Sequence, residues 1–174
     1  MSEDLNTRVW LVEDNDAYRK ALARSLGRVP GIRCDRQFRS AEELIVALEQ
    51  GDAPDIILLD VQLPGNDGIS TLPAIQSMAP GSKVMVLTAF DDSDKIYHAI
   101  CAGASGYLLK SATASEIVDA INEVLNGGAP MTSSLAVRVL QQFSDLLNPI
   151  KRSSDYKLTQ REVDILRLMA DGLI

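Results

Sequence analysis

Histidine and cysteine are nearly missing from this 174-residue chain, which has one His and two Cys. Cys34 and Cys101 have no metal-ligand spacing, which excludes a cysteine-based metal site. Both read as small core hydrophobes in a reducing cytosol. Long apolar runs are lacking too. No stretch approaches the roughly 20 residues that cross a bilayer, and the polar opening Met1-Ser2-Glu3-Asp4-Leu5-Asn6 is not a signal peptide. These absences point to a cytoplasmic protein. Positive charge is scarce: 17 Lys and Arg against 24 Asp and Glu give a formal net charge of −7, which argues against a grip on nucleic acid. From Lys151 onward, however, five bases face four acids, so the acidity belongs to the larger N-terminal part.

What is present is a regular alternation. Hydrophobic residues make up 46% and charged residues 24%, as in soluble globular proteins. Five apolar runs read as strands: Val9 to Val12, Ile32 to Arg36, Asp55 to Asp60, Lys83 to Leu87 and Gly106 to Leu109. Helical segments follow each of them, at Asp16 to Leu26, Ser40 to Gln50, about Asp67 to Met78, Ser93 to Cys101 and Thr113 to Asn126. Ser40 with Glu43 and Thr113 with Glu116 are capping-box pairs, and Gly51 and Gly127 stop their helices. Pro73 lies past the first turn of the third helix, so that helix starts late or is kinked. Alternating strand and helix predict a parallel sheet covered on both faces.

The acids sit where such a sheet binds ligands, at the carboxyl ends of its strands. Glu13 and Asp14 close the first strand, and Asp60 closes Ile56-Ile57-Leu58-Leu59 before the break at Pro64-Gly65. Three carboxylates on one rim repel unless a cation lies between them, and a divalent ion suits them. Mg²⁺ takes one or two carboxylates and several waters. Asp14 and Asp60 read as direct ligands, Glu13 as a ligand directly or through water, and the Gln62 backbone carbonyl as a further oxygen. Thr88 after the fourth strand and Lys110 after the fifth stand on the same rim as donors for phosphoryl oxygens. Taken singly, the acids are ordinary turn residues, Thr88 a cap and Lys110 a surface lysine. The constellation gives them a common purpose, with Asp60 as a nucleophile reachable from solvent.

Glu13-Asp14, Asp60, Thr88-Ala89 and Lys110, within the strings Val-Glu-Asp-Asn, Leu-Asp-Val-Gln-Leu-Pro-Gly-Asn-Asp-Gly and Gly-Ala-Ser-Gly-Tyr-Leu-Leu-Lys, resemble the receiver domain of two-component response regulators. The resemblance covers about residues 8 to 127. It implies a flavodoxin-like (βα)5 fold, α/β, with strand order 2-1-3-4-5. It also implies that Asp60 is the phosphoacceptor, that Mg²⁺ is the cofactor and that a sensor histidine kinase is the donor. Thr88 and Tyr107 become a switch pair, the ring turning inward as the threonine hydroxyl moves to the phosphoryl group. Gln62 and Phe90, each two residues beyond a site residue, tune how long the acyl phosphate survives. Ser111 stands where many receivers have proline. The single histidine, His98, lies on the fourth helix far from the motifs, so the phosphoryl donor is another molecule.

Beyond Gly127-Gly128 the strands cease. An amphipathic helix from Thr132 to Leu147 carries Leu135, Val139, Leu140 and Phe143, and a polar basic stretch follows from Asn148 to Lys157. Leu158 to Gly172 resembles the opening of a LuxR-type helix-turn-helix domain, which with a receiver makes the NarL/FixJ family of transcriptional regulators. The expected organisation is a receiver at 1–127, a linker with a helix at 128–157 and a partial helix-turn-helix domain at 158–174. The groove-reading residues are absent, so promoter DNA is expected as a partner of a longer protein only. Homodimerisation on phosphorylation is expected. No turnover of external substrates is expected, only Mg²⁺-dependent self-phosphorylation and autodephosphorylation at Asp60. The alternative is a receiver-like binding module that works without phosphorylation.

Overall fold

The computed structural model describes residues 6–65, 68–89 and 93–147. Its five strands are β1 (Thr7–Val12), β2 (Ile32–Phe38), β3 (Ile56–Asp60), β4 (Lys83–Thr88) and β5 (Gly106–Leu109). All pair in parallel, in the order β2-β1-β3-β4-β5. The three inner strands are near-continuous runs of Val, Ile, Leu and Met because helices bury both of their faces. Those helices are α1 (Asp16–Leu26), α2 (Ala41–Glu49), α3 (Gly68–Met78), α4 (Ser93–Cys101) and α5 (Ala114–Leu125). On one face Val9, Leu11 and Leu58 pack with Leu22 and Leu26 of α1 and Ile117 and Ile121 of α5. The β1–β2 connection runs one way along the sheet and the β2–β3 connection runs back past β1 the other way, so the crevice at the C-terminal ends of β1 and β3 is the sheet's topological switch point.

The expected elements are present, with differences that have local causes. β2 continues two residues past Arg36, where the Phe38 carbonyl accepts the Glu13 N–H and the Phe38 ring lies edge-on to Trp10 at 5.3 Å. At α5 the capping box closes fully: Thr113 Oγ1 accepts from the Glu116 N–H and the Glu116 carboxylate accepts from the Thr113 N–H. At α2 the box is only half formed. Ser40 accepts from the Glu43 N–H, but the Glu43 carboxylate takes the N–H of Arg39, one residue further back. α3 runs through Pro73. Cys101 departs from expectation: it ends α4 exposed, one position outside the face that buries Ile96 and Ala99, while Cys34 is only partly buried. His98 is exposed.

After α5 the chain turns at Gly127, whose φ of 85° suits glycine, and returns along β5. The Pro130 carbonyl accepts the Tyr107 N–H at 3.0 Å and Met131 makes a parallel bridge to Tyr107. Helix α6 (Ser133–Leu147) follows. Two compact units divide inside it, Met1–Ala136 and Val137–Ile174. Of the second unit, the described part is the helix from Val137 to Leu147. The expected polar linker and the helix-turn-helix resemblance at 158–174 lie outside the described residues. No helix among the described residues is long and apolar enough to cross a membrane.

Candidate functional site

Each strand end delivers one part of the site. β1 runs straight into Glu13, which is fully buried, and then Asp14, which is exposed. Asp60 is the last residue of β3 and, at 1% exposed, is more enclosed than the solvent-reachable carboxylate expected, because the Lys110 ammonium and the Gln62 N–H cover its oxygens. One carboxylate oxygen from each of Glu13, Asp14 and Asp60 lies within 4.8 Å of the others. Lys110, just past β5, reaches back so that Nζ lies 2.6 Å from Glu13 Oε2 and 2.8 Å from Asp60 Oδ2. The remaining oxygens are also engaged: Asp60 Oδ1 accepts the Gln62 N–H at 3.1 Å and Glu13 Oε1 accepts the Asn15 N–H at 3.0 Å. Two of the three clustered carboxylates, Glu13 and Asp60, thus share one ammonium, and with Asp14 beside them the fully ionised cluster carries an excess of two negative charges that a divalent cation would balance.

Burial dominates the protonation of this cluster. It raises the pKa values of Glu13 and Asp60 above the ordinary carboxylate range, against the pull of the Lys110 ammonium. For Lys110 burial acts downward, but hydrogen bonds to Asp60 and Glu13 outweigh it and its pKa is raised. The ammonium therefore stays charged at neutral pH.

Thr88 ends β4 and is buried; it pairs with Leu109, one register step beyond the Asp60–Leu87 pair. Its carbonyl accepts the Lys110 N–H at 2.7 Å, which ties the two expected phosphoryl donors together through the backbone. Tyr107 is 1% exposed, with its ring inside. Gln62 contributes its amide to Asp60, and its side chain is exposed. Phe90 lies outside the described residues.

Two residues of α1 that sequence reasoning passed over stand behind the site. Arg19 is 4% exposed, and its guanidinium donates to the backbone carbonyls of Glu13 at 2.6 Å and Asp14 at 3.4 Å. A second arm pairs with Asp16, fixing the turn that carries the acid pair. Tyr18 touches Lys110 from the same helix. A spacing argument hides both, since an arginine or tyrosine near a helix start ordinarily faces water. Gly68, the first residue of α3, gives a clearer signal. A Cβ built there would fall 2.1 Å from the Asp60 carbonyl oxygen, so only glycine lets the helix start this close to the acceptor residue.

The chain is similar to known proteins in both sequence and fold. Residues 9–122 match the response regulator receiver domain family. The transcriptional regulatory protein LiaR of Bacillus subtilis (strain 168) is 37% identical over 167 residues, covering 95% of this chain and 77% of LiaR. DegU of Brevibacillus brevis is 28% identical over 188 residues, covering 99% of this chain and 79% of DegU. Among solved structures, a LuxR-family two-component response regulator from Aurantimonas sp. SI85-9A1 superposes with a TM-score of 0.73 at 29% identity, covering 80% of this chain and 99% of that one. The receiver domain of the putative response regulator NarL from Mycobacterium tuberculosis gives 0.65 at 28% identity, covering 70% and 98%.

Proposed function

This chain belongs to the response regulator receiver domain family, and from that premise we propose that Asp60 accepts a phosphoryl group from a sensor histidine kinase in a Mg²⁺-dependent reaction. The observation that carries the reading is the buried Asp60 carboxylate at the tip of β3, clustered with Glu13 and Asp14 and sharing the Lys110 ammonium with Glu13. Mg²⁺, held by Asp14, Asp60, Glu13 and the Gln62 carbonyl, would neutralise charge between the acceptor and the incoming phosphoryl group. An Asp60 oxygen forms the bond to phosphorus as the bond from phosphorus to the kinase imidazole nitrogen breaks, and the electron pair leaves with the imidazole. Lys110 then exchanges its contact with Asp60 for one with a phosphoryl oxygen. The Thr88 hydroxyl donates to another, and the buried Tyr107 ring is the inward partner of that movement. Gln62 and Phe90 set the lifetime of the acyl phosphate by governing how water reaches it.

The output is control of transcription, as in the relatives LiaR and DegU, which are transcriptional regulatory proteins by name. For this chain we place it in the cytoplasm, with phosphorylation favouring a homodimer and promoter DNA bound by a LuxR-type domain that begins near Leu158. The chemistry amounts to self-modification at one carboxylate.

Incubation with Mg²⁺ and acetyl phosphate, followed by intact mass spectrometry, tests the reading. One added phosphoryl group that requires Mg²⁺ and is lost in Asp60→Asn is the expected result. An adduct that persists in Asp60→Asn would reassign the acceptor. No adduct from either acetyl phosphate or a phosphorylated kinase domain would favour a module that works without phosphorylation.

A further inference from the structure

Tyr18 has no part in the chemistry above, yet it touches Lys110 at both ends. Its hydroxyl lies 3.3 Å from the Lys110 backbone oxygen and donates to it. Its ring centroid lies 5.4 Å from the Lys110 ammonium, inside the range of about 6 Å over which an aromatic face attracts a cation. Burial, reinforced by the Glu13 charge, pushes the phenol up, so it remains a neutral donor at physiological pH. α1 is anchored at this point, because the Asn15 side chain caps the helix by accepting the Tyr18 N–H at 3.0 Å. A lysine side chain is long and flexible, and holding its head in one place costs rotamer entropy. A fixed aromatic face beside the ammonium lowers that cost while leaving the head able to trade one oxygen for another.

We propose that Tyr18 is a positioning residue for Lys110, its ring keeping the ammonium over the rim and its hydroxyl fixing the peptide at the end of β5. This rests on the reading of Asp60 as acceptor and Lys110 as the phosphoryl-binding cation. The competing account is packing alone, since Tyr18 also lies against the core shared by β1, α1 and α5. Substitutions separate the two. Tyr18→Leu keeps apolar bulk and loses both contacts with Lys110, whereas Tyr18→Phe keeps the ring and loses the hydroxyl.

The experiment uses the full chain in two arms. The first is the initial rate of Mg²⁺-dependent phosphoryl uptake from acetyl phosphate, in wild type, Tyr18→Leu, Tyr18→Phe, Lys110→Ala and the Tyr18→Leu/Lys110→Ala pair. The second is the NMR shift of the Lys110 ε-methylene protons, which the Tyr18 ring current moves. Tyr18→Leu is expected to slow uptake about three- to tenfold when Lys110 is present and to leave the Lys110→Ala rate unchanged. Tyr18→Phe should fall between, and only Tyr18→Leu should bring the ε-methylene shift to that of a solvated lysine. Equal slowing with and without Lys110, or an ε-methylene shift that Tyr18→Leu does not alter, overturns the proposal in favour of packing. Should wild type take up no phosphoryl group from acetyl phosphate, the rates are read with a phosphorylated kinase domain as donor; no uptake from either makes the Asp60 reading fail by itself, and the NMR arm still decides whether Tyr18 holds Lys110.

Discussion

Replacing Gly68 with alanine sets two known effects against each other at the acceptor. Alanine is the better helix former by up to about 1 kcal/mol, so propensity alone makes Gly68→Ala stabilising. The structure opposes this. The new Cβ would lie 2.1 Å from the Asp60 carbonyl oxygen, 3.1 Å from its carbonyl carbon and 3.3 Å from Val61 Cα. All three are backbone atoms of the acceptor segment, and no side chain can swing aside. Relief to an ordinary contact of 3.4 Å requires an opening of roughly 1.3 Å between α3 and the end of β3. Overpacking of this kind costs about 1–3 kcal/mol. The hydrogen bond from the Gly68 N–H to the Val61 carbonyl, 3.1 Å long, is strained by the same movement. The expected net loss is about 1–2 kcal/mol, read as a fall in Tm of about 3–8 °C by circular dichroism. Because a displacement near 1 Å at a reacting group costs up to about 10²-fold in rate, phosphoryl uptake by Asp60 should fall about 10- to 100-fold. Stability at or above wild type together with an unchanged uptake rate would falsify the argument, because it would mean that α3 yields without moving Asp60.

Two further perturbations test the support and the charge of the site. Arg19→Met removes the donor from the buried Glu13 carbonyl and the part-buried Asp14 carbonyl; urea denaturation should show a loss of about 2–3 kcal/mol, and titration a several-fold weaker Mg²⁺ affinity. Full Mg²⁺ affinity in that variant would show that the acid pair holds its shape unaided. For pH the sign follows from the raised Glu13 and Asp60 values. The native state keeps these protons to higher pH than the unfolded chain, so metal-free stability from this cluster declines as pH rises from the ordinary carboxylate pKa through the folded values. A divalent cation displaces the retained protons, so Mg²⁺ should bind more tightly as pH rises through the same window. Calorimetry in buffers of different ionisation enthalpy should record proton release, and its absence across that window would refute the assignment.

The parts of this protein that a sequence reveals are those set by local chemistry. The strands announce themselves because burial on both faces demands unbroken apolar runs, and the acids are legible because each directly follows one. The helix ends at Thr113 and Ser40 are legible because capping needs a specific hydroxyl three residues before a specific carboxylate. What stays hidden depends on distant partners. Arg19 looks like any helical arginine until the chain leaving β1 delivers the Glu13 and Asp14 carbonyls to it, and Tyr18 acquires its second contact from a residue 92 positions away. Cys101 was misplaced because an apolar pattern does not fix which neighbour of the buried stripe is last covered. The return of Pro130 and Met131 along β5 carries no periodic signal at all.

That return has a consequence for how the molecule keeps its own company. A sheet edge is a template for another strand, and β5, with four residues, is one of the two edges here. The Tyr107 N–H is already taken by Pro130, and the Leu109 carbonyl by the N–H of Ala112. An incoming strand would meet a short edge whose hydrogen-bonding groups are largely spent. The chain thus shields its β5 edge against sheet-to-sheet pairing by its own returning segment.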